Sequence, residues 1–262
     1  MIHLRTDFFS ETLGLSTSMT VLLPQAAAGQ VGMSGRVRAD GHPVLYLLHG
    51  SSDDDTTWLR RTSLERYAAE LGLAVVMPQV HLSFYCDEAY GLPYWTFLTE
   101  ELPALVTDTF RVSSARDDTF VAGLSMGGFG AFKWALHHPE RFAAAASLSG
   151  ALDLAGLRWE GRDPKQRMRI WGRRKIAGSH DDLLHVLDGV DPAALPALYV
   201  TCGTEDFLHD DNRRFVTAAE QHGIPLTTDF RPGAHEWGYW DAAIQRVLDW
   251  LPIANPAPAP VG

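Results

Sequence analysis

Short runs of apolar, often β-branched residues alternate along the chain with longer stretches whose apolar positions recur every three to four residues. This pattern predicts an α/β fold with a mostly parallel sheet, because strands covered on both faces read as unbroken apolar runs. Strands are predicted at 43–50 ("PVLYLLHG"), 73–78, 118–125, 142–150, 197–207 and 225–237, the last two running on into loops. Helices are predicted at 62–72, 94–110, 127–139, 209–223 and 240–251. Gly72 suits a helix C-cap, and Pro103 predicts a kink or a new start inside 94–110. Residues 2–23 alternate as two antiparallel edge strands, 26–42 reads as a hairpin loop, and the proline-rich end 252–262 reads as a loose tail.

One segment breaks the alternation. Eight of the chain's 22 basic residues fall between Arg158 and Lys175: Arg158, Arg162, Lys165, Arg167, Arg169, Arg173, Arg174 and Lys175. The stretch 151–190 reads as a small cap inserted over the sheet. It is either a solvated cap or subunit contact within a homo-oligomer, or a basic lid that receives an anionic substrate.

Composition narrows the function classes. With 262 residues, 46% of them hydrophobic, the chain suffices for one sizeable core, predicted here as a single domain over 1–251. A net charge of -10 argues against nucleic acid or an anionic membrane as partner, leaving a small-molecule substrate. No window reaches the roughly 18 apolar residues of a membrane span. The first residues lack a basic region followed by an apolar run, and Cys86 and Cys202 read as reduced thiols, so a cytoplasmic enzyme is expected. No group of residues has the spacing of a metal site such as H-E-x-x-H, so neither metal nor cofactor is expected.

Candidate chemistry starts at "VAGLSMGGFG", residues 121–130. Gly123-Leu124-Ser125-Met126-Gly127 matches G-x-S-x-G between a predicted strand and a predicted helix, the setting of a nucleophile elbow. A sharp turn there strains the serine backbone and leaves no space for side chains at its glycines. A serine hydroxyl needs a base, and among eleven histidines His235 follows the last strand in "PGAHEW", just before the closing helix. His137 and His138 end the helix after the elbow, His49 belongs to the loop before Gly50, and His81 and His209 lie in loops that could approach the site. An orienting acid is expected between serine and histidine, just after a strand. "TEDFLHDD" offers Glu205, Asp206, Asp210 and Asp211; Asp206 is preferred, with Glu205 its close competitor, because Asp210 and Asp211 suit a first helical turn. Oxyanion donors are expected from the backbone N–H groups of Met126 and Ser51, with Ser52 as an alternative to Ser51. Trp95, Phe97, Trp237 and Trp240 are candidates for an acyl pocket or lid, or else plain core.

With "YLLHGSSDDDTTW", "GLSMGGFGA", "CGTEDFL" and "PGAHEWGYW" in this order, the chain resembles the esterase D-like family of α/β-hydrolases from about residue 5 to 251. The resemblance implies an α/β-hydrolase fold and a triad of Ser125, Asp206 and His235, with oxyanion donors at Ser51 and Met126. It also implies a serine carboxylesterase acting on short-acyl esters, most like the tributyrin esterase type. S-formylglutathione hydrolysis is the implied alternative, although the Leu-Thr-Cys pattern of that type is missing at 50–56. Acyl transfer on the same scaffold is the third reading.

Overall fold

The computed structural model describes residues 1–27, 29–31, 35–156 and 164–254. Its centre is an eight-stranded sheet of β1 (Ile2–Ser10), β2 (Leu15–Leu23), β3 (Val44–Leu48), β4 (Ala74–Pro78), β5 (Thr119–Leu124), β6 (Ala144–Leu148), β7 (Ala197–Gly203) and β8 (Thr227–Arg231). The strand order is β1-β2-β4-β3-β5-β6-β7-β8, with β1–β2 and β2–β4 antiparallel and all other pairs parallel.

All five residues of β3 are buried. Val44, Tyr46 and Leu48 face one apolar cluster, whereas Leu45 and Leu47 face a second. This division follows from the two-residue period of a strand, and it puts a core on each side of the sheet. The first cluster lies under α4 (Leu102–Thr109), α5 (Met126–His137) and α8 (His209–Gln221); the second lies under α1 (Thr57–Arg61), α2 (Leu64–Leu71) and α9 (Trp237–Trp250).

Gly72 ends α2 in the left-handed conformation at φ 63°, as its position suggested. The predicted helix at 94–110 is α3 (Tyr94–Thr96), a π-helical turn at Phe97–Glu101, and α4, with Pro103 in the first turn of α4. Proline withholds its donor from the carbonyl four residues back, and the Thr99 carbonyl accepts from the Arg141 guanidinium instead. The hairpin expected at 26–42 is not one. β2 pairs with β4 rather than β3, so the segment joins strands that are not neighbours.

The segment after β6 leaves the sheet and contributes α6 (Pro164–Trp171) and α7 (Leu183–Val186) before β7. Arg158 and Arg162 of the basic stretch, and most of the proline-rich end, lie outside the described residues.

Candidate active site

Ser125 occupies the turn between β5 and α5 at φ 54° and ψ -116°, a conformation side-chain-bearing residues rarely adopt, costing about 1–3 kcal/mol. Close packing holds it there. A Cβ on Gly123 would overlap the Gly127 carbonyl, and one on Gly127 would overlap the Leu48 carbonyl and lie 2.7 Å from that of His49. The turn puts Met126 at the first position of α5, where its N–H has no acceptor within the helix.

His235 reaches the serine from the loop between β8 and α9: its Nε2 lies 3.1 Å from Ser125 Oγ. Its Nδ1 lies 2.9 Å and 3.1 Å from the two carboxylate oxygens of Asp206. A carboxylate only accepts, so Nδ1 carries the proton and Nε2 is left to accept from the serine. Burial pushes the Asp206 carboxyl up. Hydrogen bonds from His235, the Leu208 N–H and the Ser149 hydroxyl, with the His235 charge, outweigh it and hold the group below the usual carboxylate range. Glu205 points elsewhere. Its carboxylate accepts from the Gly233 N–H and from Thr204 Oγ1, so it pins the histidine loop rather than the histidine.

Two rings enclose the imidazole. Trp240 stands edge-on at 4.7 Å between centroids, and Phe207 packs at 4.5 Å while 64% exposed. Trp240 Nε1 donates to Ser149 Oγ at 3.1 Å, tying this wall to the donors around Asp206. Phe207 escaped the sequence reading, although its place directly after Asp206 was a usable signal.

The loop after β3 flanks the serine: a Cβ on Gly50 would stand 3.6 Å from Ser125 Cβ. His49 shapes this loop with both ring nitrogens. Nε2 accepts the Val80 N–H at 3.2 Å, which leaves Nδ1 as the donor to the Gly50 carbonyl at 2.8 Å. Burial keeps the ring below the ordinary histidine pKa, against the Gly50 carbonyl, which favours the cation. With its carbonyl held, the planar Gly50–Ser51 peptide that carries the Ser51 N–H is fixed as well. Ser52 follows at φ 66° and lines a neighbouring cleft with Asp53, His81 and Arg169. His209 instead packs its ring on Phe230.

The aromatic candidates divide. Trp95 packs against His137 and His138 at the far end of α5, about 16 Å from the serine end at 1.5 Å per residue. Phe97 is fully buried and stacked on Phe8 of the edge strand β1. Phe97 therefore lies in the core, and Trp95 packs on its margin. Trp237 stands behind Trp240, edge-on to it and to Trp58.

Two cations of the basic stretch hold the 151–190 segment against the loop after β4. Arg169 pairs with Glu88 at 2.9 Å and donates to the Leu82 carbonyl, while Arg174 donates to the Asp87 carbonyl.

Residues 10–251 match the model of a family described as "putative esterase". The chain belongs to this family. Among solved structures this esterase superposes on the fluorophosphonate-binding serine hydrolase FphF of Staphylococcus aureus with a TM-score of 0.85 and 35% identity. For the S-formylglutathione hydrolase FrmB of the same organism the values are 0.81 and 34%; in both cases 96% of this chain and 98% of the other are covered. It is 26% identical to an acetyl esterase of Caldicellulosiruptor saccharolyticus, over 96% of this chain and 98% of that one. It is 31% identical to the diacylglycerol acyltransferase/mycolyltransferase Ag85A of Mycobacterium tuberculosis, over 82% and 77%. The esterase has the α/β-hydrolase fold and is a carboxylic ester hydrolase. Among the described residues no helix is long and apolar enough to cross a membrane.

Proposed function

We propose that this esterase hydrolyses short-acyl carboxylic esters through an acyl-enzyme, with Ser125 as nucleophile, His235 as base and acid, and Asp206 as orienting carboxylate. The observation that carries the reading is the unbroken chain Ser125 Oγ–His235–Asp206, with contacts of 3.1 Å and 2.9 Å. Ser125 Oγ attacks the ester carbonyl as its proton passes to His235 Nε2, and the carbonyl π pair moves onto oxygen. The N–H groups of Met126 and Ser51 face that oxyanion; one such donor contributes about 10²–10³ in kcat. As the tetrahedral centre collapses, the alcohol leaves with the proton from His235. Water, deprotonated by the same nitrogen, then releases the acid and regenerates the serine.

The acyl size rests on the likeness to the acetyl esterase. The likeness to FrmB favours a second reading, a thioester such as S-formylglutathione, on the same triad. The likeness to Ag85A favours transfer to an alcohol in place of water. One set of assays separates the three: p-nitrophenyl esters of rising acyl length, S-formylglutathione, and acetyl ester turnover with added alcohols. Acetyl to butyryl esters are expected to react fastest, and Ser125→Ala is expected to lose about 10⁴ or more in kcat. A preference for S-formylglutathione, or acylated alcohol as the main product, would move the assignment. Full activity in Ser125→Ala would end it.

A further inference from the structure

The two oxyanion donors stand on different elements: Met126 opens α5, and Ser51 belongs to the loop after β3. They are useful only while their separation is held, since donors must lie about 2.7–3.1 Å from one developing oxyanion. Three carbonyls in succession fasten the loop. Leu48 O accepts Trp58 Nε1 at 3.2 Å, His49 O accepts the Tyr85 hydroxyl at 2.8 Å, and Gly50 O accepts His49 Nδ1. The His49 carbonyl also abuts Gly127, the residue after Met126.

Tyr85 is bound to both sides. Its ring lies so close on α5 that a Cβ at Gly130 would come within 2.5 Å of it. Its carbonyl accepts Lys133 Nζ, also of α5, at 3.1 Å. Its own N–H donates to Ser83 Oγ at 3.1 Å, and the residue sits at φ 52°, so its backbone is specified rather than incidental. Full burial keeps the phenol protonated, hence a permanent donor. Lys133 is in turn anchored by Asp181 of the cap segment at 2.6 Å.

We propose that Tyr85 is a positioning residue that braces the Ser51 loop against α5 and so sets the spacing of the two oxyanion donors. The assignment rests on the ester-hydrolase reading above. A group acting in this way aids the transition state and leaves ground-state binding nearly unchanged.

The test compares wild type, Ser125→Ala and Tyr85→Phe, which keeps the ring and removes the donor. The measurements are kcat and KM for p-nitrophenyl acetate, the inhibition constant of an alkyl trifluoromethyl ketone, and the thermal midpoint. In the ketone adduct Ser125 Oγ bonds to the carbonyl carbon, the serine proton passes to His235, and the former carbonyl oxygen becomes the oxyanion. Tyr85→Phe is expected to lower kcat about tenfold, raise the ketone's inhibition constant by a similar factor, and change KM less than twofold. Gly130→Ala, which keeps the Tyr85 hydroxyl group but pushes its ring off α5 and away from the His49 carbonyl, should give the same paired change.

A lowered midpoint with kcat and ketone affinity within twofold of wild type would make Tyr85 merely structural and overturn the proposal. Wild type without Ser125-dependent turnover would overturn the esterase reading and this proposal together. Normal wild-type turnover with unaltered Tyr85→Phe kinetics overturns only the brace.

Discussion

Glu205 and Gly233 are bonded in both directions: the Glu205 N–H donates to the Gly233 carbonyl at 3.0 Å, and the Gly233 N–H donates to the Glu205 carboxylate. Asp206, the next residue, and His235, two residues beyond Gly233, make their own contact. The loops that carry Asp206 and His235 are thus clasped at neighbouring positions. Glu205 and Asp206, rivals in sequence, hold different parts of one assembly.

Substitution separates the two. Asp206→Asn keeps the shape but its amide offers the imidazole a donor where an acceptor is needed, and kcat should fall about 10³–10⁴. Glu205→Gln keeps an accepting oxygen for Gly233, so activity should stay within about threefold of wild type. Steady-state kinetics of both variants on one ester, with circular dichroism to verify folding, decide the matter. An equal loss in the two would deny the distinct roles.

The buried pair of Lys133 and Asp181 joins α5 to the cap. Its partners include the Tyr85 carbonyl, Trp171 Nε1 donating at 2.8 Å, and Cys86 Sγ within 3.5 Å of the ammonium, which also sits 4.3 Å from the Trp95 ring centroid. Burial pushes the Asp181 carboxyl up. The ammonium, with bonds from Lys133 and Trp171 and the His180 charge, outweighs it and brings the group down to about 2. In the unfolded chain the same carboxyl titrates at its ordinary value of 3.8. Unfolding therefore takes up a proton between those values. The pair's stabilisation is complete above about pH 4 and is lost as pH falls through about 2. Lys133→Met strands a buried carboxylate and should cost about 3–5 kcal/mol at pH 7, with part of the loss recovered in Lys133→Met/Asp181→Leu. Urea titrations of the single and double variants from pH 7 to 3 measure this. A single variant as stable as wild type at pH 7 would contradict it.

Phe207 presents the opposite balance, exposed yet packed on His235. Removing its ring should cost little stability, within about 0.5 kcal/mol, because most of it already faces solvent. The ring contact with His235 is another matter: such pairs contribute about 0.5–1.5 kcal/mol, so Phe207→Ala should lower kcat/KM between about twofold and tenfold. A melting curve and a saturation curve on the same preparation show whether activity drops while stability holds.

Much of the fold was legible in the residue pattern because strands and helices announce themselves locally. The runs at 44–48, 74–78 and 119–124 could be read as buried strands from composition and length alone. Helix α9 begins at Trp237, three residues before the predicted start, because Glu236 adopts the extended N-cap conformation in a loop shaped by Gly233. The segment 26–42 misled for a related reason. Turn-like composition says that a chain changes direction, not which strand it meets next.

Sequence alone determined the elbow and the order of Ser125, Asp206 and His235, since glycine spacing and the ends of strands are local features. It also determined the acidic balance of the chain and the exceptional basic stretch. Tertiary structure decided what those residues touch. It sent Phe97 into the core, packed Trp95 on the core's margin, gave Glu205 to Gly233, tied Arg169 and Arg174 to the loop after β4, and placed Tyr85 between α5 and the His49 carbonyl. The physical reason is that hydrogen bonds and ring contacts act within a few ångströms of space. The folded sheet brings positions 49 and 85, or 125 and 235, into that range, and no local pattern encodes such distant pairings.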